Sequence, residues 1–184
     1  MIATALTAFA GVYLLIGLLW LAPRKPAYSH VRNTISELGE VGAPRQRLVA
    51  LGIFLPVGLL LLLAASLVRS ASPASAALAL CIGVSYVVAA AFPCDPGSPL
   101  SGSARQAAHN LGGAVEYIGG GFALMAIAES FGQPFKAAGI VVLVSAIALS
   151  VLPSSSIRGI IQRVAEACLF SGLALAVWQA GAAV

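Results

Sequence analysis

Read from its N-terminus, the chain alternates between long apolar stretches and short polar ones. Residues 2–22, 48–68, 76–93, 108–129, 136–152 and 160–182 consist largely of Ala, Leu, Val, Ile and Gly. Each run is about 20 residues long, the length that crosses some 30 Å of hydrocarbon as an α-helix. The runs do not alternate with a period of two. That argues against a closed barrel, the other structure that satisfies every backbone polar group in lipid. The pattern therefore predicts an all-α, polytopic membrane bundle of six transmembrane helices, forming a single membrane domain over residues 1–184. No Lys or Arg precedes the first run, and "WLAPRKP" lacks a small-residue cleavage pattern, so a retained helix is expected there.

Composition agrees with the pattern. Hydrophobic residues make up 60% of the chain and charged residues only 9%, against about 25% charged in a soluble domain. The placement of the basic residues adds an orientation. Arg24, Lys25, Arg32, Arg45 and Arg47 fall in the first loop, Arg105 in the third, and Arg158 and Arg163 around the fifth, leaving Arg69 and Lys136 beside the even-numbered loops. The positive-inside rule then puts loops one, three and five in the cytoplasm and both termini on the non-cytoplasmic side of a bacterial inner membrane. The same bias accounts for the net charge of +4 without a nucleic-acid partner. Cys81 and Cys168 lie within apolar runs and Cys94 at the edge of one; no pair has zinc-ribbon or redox spacing, and free thiols are expected.

The polar residues cluster by loop. In the long first connection, Thr34 and Glu37 have the spacing of a capping box, while Val31, Ile35 and Leu38 recur at helical spacing. This predicts a short amphipathic helix lying on the membrane surface, stopped by Gly39, Gly42 and Pro44. In the third connection, Pro93, Pro96, Pro99, Gly97 and Gly102 force a turn and leave Asp95 at the water interface. Beyond it His109, Gly112, Gly113, Glu116, Tyr117 and Gly120 share one helix face. A carboxylate in hydrocarbon costs several kcal/mol, so Glu116 must face the bundle interior, partnered or protonated. In the last run, Arg163 and Glu166 stand three residues apart and are expected to pair locally. Almost all of these groups belong to the half of the bundle that carries loops one, three and five. One polar pocket opening to the cytoplasm is the economical explanation.

"YSHVRNTISELGEVGAP", then an apolar span, "FPCDPGSP" and the later His of "AHNLGG" together resemble the prokaryotic integral membrane family catalogued as domain of unknown function 998. The resemblance covers most of the chain and implies about six membrane helices, with Ser36, Glu37, Pro93, Asp95 and His109 as the matching polar positions. It implies no activity. A more distant likeness is to membrane hydrolases of the alkaline ceramidase and progestin/adiponectin receptor type, which arrange Ser, Asp and His around zinc. Ser29 or Ser36 with His30, Asp95 and His109 offer similar chemistry. The last span, however, lacks the His-x-x-x-His pair, and only two histidines exist.

Three readings follow. In the first, the pocket binds a small amphipathic or lipid-like ligand through Arg32, Ser36, Glu37, Asp95, His109 and Glu116, with Asp95 fixing His109 and no cofactor required. In the second, the protein is an intramembrane hydrolase with Asp95, His109 and Glu116 as catalytic candidates; His30, Asp95 and His109 are then the possible zinc ligands. In the third, "GGAVEYIGGGFALMA" is a packing face for a protein partner or a second copy of the chain. Membrane lipids surround the bundle in all three. A titrating Glu116 also suits proton-coupled transport, which the lack of a second acidic relay disfavours.

Overall fold

The computed structural model describes residues 1–152 and 156–182. Six helices are long and apolar enough to cross a membrane. They are α1 (Ile2–Leu21), α2 (Gln46–Val68), α3 (Pro73–Ala91), α4 (Ala104–Phe131), α5 (Gln133–Val151) and α6 (Arg158–Ala182). The chain is therefore a multi-pass membrane protein of the all-α class. Leu15, Ile16, Leu19, Phe122 and Ile147 are exposed and face the region where lipid belongs, while Leu61, Leu78, Ile82, Leu124, Leu169 and Leu173 are fully buried between helices.

Local chemistry sets the helix ends slightly outside the hydrophobic runs. Ser72 caps α3, its Oγ accepting from the Ser75 amide, and Pro73 occupies the first helical position, where a missing N–H costs nothing. Ser103 caps α4 in the same way through the Gln106 amide. At the other end α3 stops at Ala91, because Phe92 precedes Pro93 and leaves the helical region, with φ −125° and ψ 74°. Two turns with i→i+5 bonding interrupt the α-helical ladder, at Ala50–Phe54 and Val115–Gly119. The second widens α4 enough that the adjacent Glu116 and Tyr117 both point inward and are buried.

Sequential helices pack side by side, and α6 closes the set by packing on α1 as well as on α3, α4 and α5. The pairing of α4 with α5 is tightest at Gly121 and Gly139, where a Cβ on Gly139 would lie 2.7 Å from the Gly121 carbonyl oxygen. The Ala104–Ala114 half of α4 makes no such extended contact with α5.

The first connection departs from expectation. Apart from a 3-10 turn that ends α1 at Ala22–Arg24, the connection forms one short 3-10 turn, Ser36–Gly39, and its residues Glu37, Leu38 and Gly39 are buried in the bundle mouth rather than laid on the membrane surface. Ile35 and Leu38 are buried while Val31 is exposed. The capping box explains how so polar a turn can be covered. The Thr34 amide donates to Glu37 Oε1 (2.8 Å) and the Glu37 amide to Thr34 Oγ1 (3.3 Å), so the turn satisfies its own donors. What pins it is α6: the Ile35 amide donates to Gln162 Oε1 at 2.5 Å.

Candidate functional site

Loops one and three and the start of α6 are stitched into one layer over this end of the bundle. Arg163 is the main fastener. Its Nη1 donates to the carbonyls of His30 (2.8 Å) and Asn33 (2.9 Å), and its Nη2 to the Tyr28 hydroxyl (2.7 Å). Arg158 does the same for loop three, donating to the carbonyls of Gly97 (2.8 Å) and Ser98 (2.5 Å). Between the loops, the Val41 amide donates to the Cys94 carbonyl, and Glu40 bridges Lys25 (2.6 Å) and the Gly97 amide (2.7 Å). Loop carbonyls pointing into a low-dielectric layer need donors, and the two arginines supply them.

Beneath this layer lies a cavity of about 290 Å³, the volume of about ten waters. Its lining mixes polar and apolar side chains. The polar ones include His109, Glu116 and Tyr117 from α4, Tyr86 from α3, and Arg158, Gln162 and Glu166 from α6. Glu166 accepts from the Tyr117 hydroxyl (2.7 Å) and the Tyr86 hydroxyl (3.1 Å), and Gln162 Nε2 donates to the Tyr117 oxygen (3.0 Å). Ser85 donates to Glu116 Oε2 at 2.7 Å. Leu100, Ile118, Ala146 and Leu149 supply apolar lining to the same space. Ile118 and Ser150 line the cavity and are also exposed on the outer surface, so the space reaches the membrane-facing side between α4 and α5. Gly113 lines it too, and a Cβ there would meet nothing within 4 Å.

Of the residues singled out in the sequence, Ser36, His109 and Glu116 line this cavity. Glu37 sits behind it, 4.0 Å from Arg158 and bonded to Thr34 and to Asn33 Nδ2 (2.6 Å). Arg32 is exposed on the loop. The expected bond between Asp95 and His109 is not made, because each is satisfied elsewhere. Asp95 takes the Ser103 amide (2.8 Å), the Ser103 hydroxyl (2.8 Å) and Arg105 (2.6 Å), which ties loop three to the α4 N-terminus. His109 Nδ1 meets the Phe92 carbonyl at 2.9 Å. Nor do Arg163 and Glu166 pair; they project to opposite partners, the loop carbonyls and the two tyrosines. Tyr86, Ser85 and Gln162 are the contributors missed as site residues. Their signal was the polar "SY" inside the third apolar run and the Gln beside Arg163.

The hydrolase residues do not converge. Among the described residues no three His, Cys, Asp or Glu side chains are grouped to hold a metal ion. His30 lies edge-on to Tyr28, Asp95 at the interface and His109 in the cavity. Burial pushes the Cys94 thiol up to about 12, which keeps it as the neutral thiol rather than a nucleophilic thiolate. The glycine-rich stretch is occupied within the chain: Gly120 packs on Leu169, and Gly121 on Leu143.

A model of the DUF998 family, described as a protein of unknown function, matches residues 6–179. The chain belongs to the DUF998 family. No curated protein and no solved structure matches it. For this DUF998 protein the cavity, not a relative, has to carry the functional argument.

The Asp95 cluster makes a testable statement about pH. The Ser103 amide, with Arg105 and the Ser103 hydroxyl, holds the Asp95 carboxyl below the usual carboxylate range. A depressed folded-state value stabilises the loop above the unfolded value, about 3.9, and that stabilisation is lost as pH falls through the folded value. Pepsin should therefore nick the exposed Leu100 more slowly in wild type than in Asp95→Asn near pH 4.5, with the difference between the two narrowing as pH falls further. Rates that are equal throughout would show that Asp95 does not hold the loop.

Proposed function

We propose that this DUF998 protein binds a small amphipathic or lipid-like ligand in the cavity beneath loops one and three, drawing it sideways from the adjoining leaflet. The observation that supports this is that one cavity is lined both by buried carboxylates and hydroxyls and by the apolar side chains of Leu100, Ile118, Ala146 and Leu149. A head group would meet the polar groups and a chain the apolar ones, leaving between α4 and α5. Ser36, His109 and Glu116 are the ligand contacts retained from the sequence, joined by Tyr86, Tyr117, Gln162 and Glu166. Arg32, Glu37 and Asp95 act at a distance, in or behind the loop layer. On this reading the mouth opens to the cytoplasm of a bacterial cell and the termini lie across the inner membrane, an orientation that the basic residues of loops one, three and five support.

Gly113 offers the cleanest test, since its Cα faces open space in the cavity and carries no packing contact. Gly113→Phe should fill the site while leaving the helices in place, because replacing Gly in a helix interior gains about 0.5 kcal/mol or so of propensity. With a photoreactive decyl amphiphile bearing a diazirine near its head, labelling of Gly113→Phe should drop about tenfold or more, the loss of roughly 1.4 kcal/mol of binding. The melting temperature should hold. Equal labelling of variant and wild type would remove the cavity from consideration.

A further inference from the structure

Resting on that reading, we infer that the head group taken by the cavity is a primary ammonium, received by Glu116 and Glu166, so that the ligand class is a long-chain amine. The argument is one of donors and acceptors. Three hydroxyl groups face the two carboxylates, and each spends its hydrogen on one of them: Ser85 on Glu116, and Tyr86 and Tyr117 on Glu166. Glu116 is 4% exposed, yet its Oε1 finds no hydrogen-bond donor among the described residues. His109 adds to the same side of the balance. Its Nδ1 lies against a carbonyl oxygen, which can only accept, so Nδ1 carries the hydrogen and Nε2 of the neutral ring offers a lone pair. Arg158 also lines the cavity, with its Nη nitrogens spent on the Gly97 and Ser98 carbonyls and its Nε without an acceptor among the described residues, so the shortage of donors is local to the Glu116 and Glu166 carboxylates.

Charge points the same way. No Lys or Arg nitrogen lies within 4.0 Å of Glu116 or Glu166 among the described residues, since the ion pairs there join Lys25 to Glu40, Arg105 to Asp95 and Arg158 to Glu37. Arg163, the nearest basic residue in sequence to Glu166, has turned to loop one. Two carboxylates that line one small cavity repel when both are charged. A group with several N–H donors and a positive charge relieves the orphan oxygen and the repulsion at once; a hydroxyl relieves only the first, and a carboxylate or phosphate worsens both. An alkyl chain on the amine suits the apolar lining from Leu100, Ile118, Ala146 and Leu149.

Titration calorimetry on the protein in lipid nanodiscs, with empty nanodiscs subtracted, tests this using octylammonium, octanol and octanoate. Octylammonium should bind wild type about tenfold or more tighter than octanol, as charge-assisted bonds are roughly twice as strong as neutral ones, and octanoate should give no saturable heat. Glu116→Gln should bring octylammonium to within about twofold of octanol. Should that variant fold poorly, Glu166→Gln, whose amide oxygen still accepts from a tyrosine, should show the same levelling. Octanol equalling octylammonium on wild type, or octylammonium binding unchanged in both variants, overturns the ammonium assignment. The cavity reading then survives if Gly113→Phe still abolishes binding. Saturable heat from none of the three probes overturns both.

Discussion

Gly159→Ala is expected to cost about 3 kcal/mol, the combined scale of overpacking and of a weakened charged hydrogen bond, despite the helix propensity that alanine brings. The new methyl would fall on the Asn33 carbonyl oxygen and lie 2.6 Å from that of His30 and 2.9 Å from that of Val31. None of these atoms is free to retreat. His30 and Asn33 are the acceptors for Arg163 Nη1, and Val31 accepts from the Ile160 amide at 3.2 Å. A side chain could swing away from the methyl; three backbone carbonyls on one short loop can move only together. The loop therefore lifts off α6, and Thr34, Ile35 and Ser36, which roof the cavity, lift with it. Trypsin reads the result at the exposed Arg32. Where cleavage follows the open population, about 3 kcal/mol corresponds to an acceleration of roughly a hundredfold. Cleavage at the wild-type rate would mean the loop is held by something other than its seat on Gly159.

The contrast between what the residues announce and what the fold does with them is sharpest in this same region. The six spans were legible because hydrocarbon thickness fixes helix length, and Glu116 was legible as inward-facing because lipid cannot solvate it. The capping box of Thr34 and Glu37 was legible as a local bond pattern, though not as a buried one. Arg163 and Glu166 were misread for a physical reason. Spacing along a helix counts only neighbours on that helix, whereas a guanidinium is drawn by whatever acceptors lack donors, here carbonyls 130 and 133 residues away. Bonded to Tyr86 and Tyr117 and not to Arg163, Glu166 joins Glu116 as a second acidic group at the cavity, a role that the expected local pair had hidden. The i→i+5 turn at Val115–Gly119, which aims Tyr117 alongside Glu116, has no signature in residue type that the 3.6-residue period would reveal.

At the far end of the cleft between α4 and α5, two glycines that look equivalent in sequence should respond very differently to the same change. A Cβ on Gly139 would lie 2.7 Å from the Gly121 carbonyl oxygen, a backbone atom locked in the α4 ladder, with Met125 Cγ at 2.8 Å and Leu124 Cβ at 3.3 Å behind it. Relief there requires the helices to separate. A Cβ on Gly121 meets chiefly the end of the Leu143 side chain, with Cγ at 2.7 Å and Cδ2 at 2.8 Å, while the Gly139 carbonyl stays at 3.4 Å. A change of leucine rotamer can absorb that contact. Gly139→Ala should accordingly cost about 2–3 kcal/mol in unfolding by dodecyl sulfate in mixed micelles, the range for overpacked cores. Gly121→Ala should stay within about 1 kcal/mol of wild type, since its strain is offset by helix propensity. The difference also reaches the site. This crossing is where α4 and α5 are held together before their other halves part around the cavity, so a spacer at Gly139 should loosen the cavity's walls and weaken amphiphile labelling, while one at Gly121 should not. Equal costs for the two alanines would show that the backbones are not in contact at this crossing, and the cleft would lose the fixed end on which its lateral opening depends.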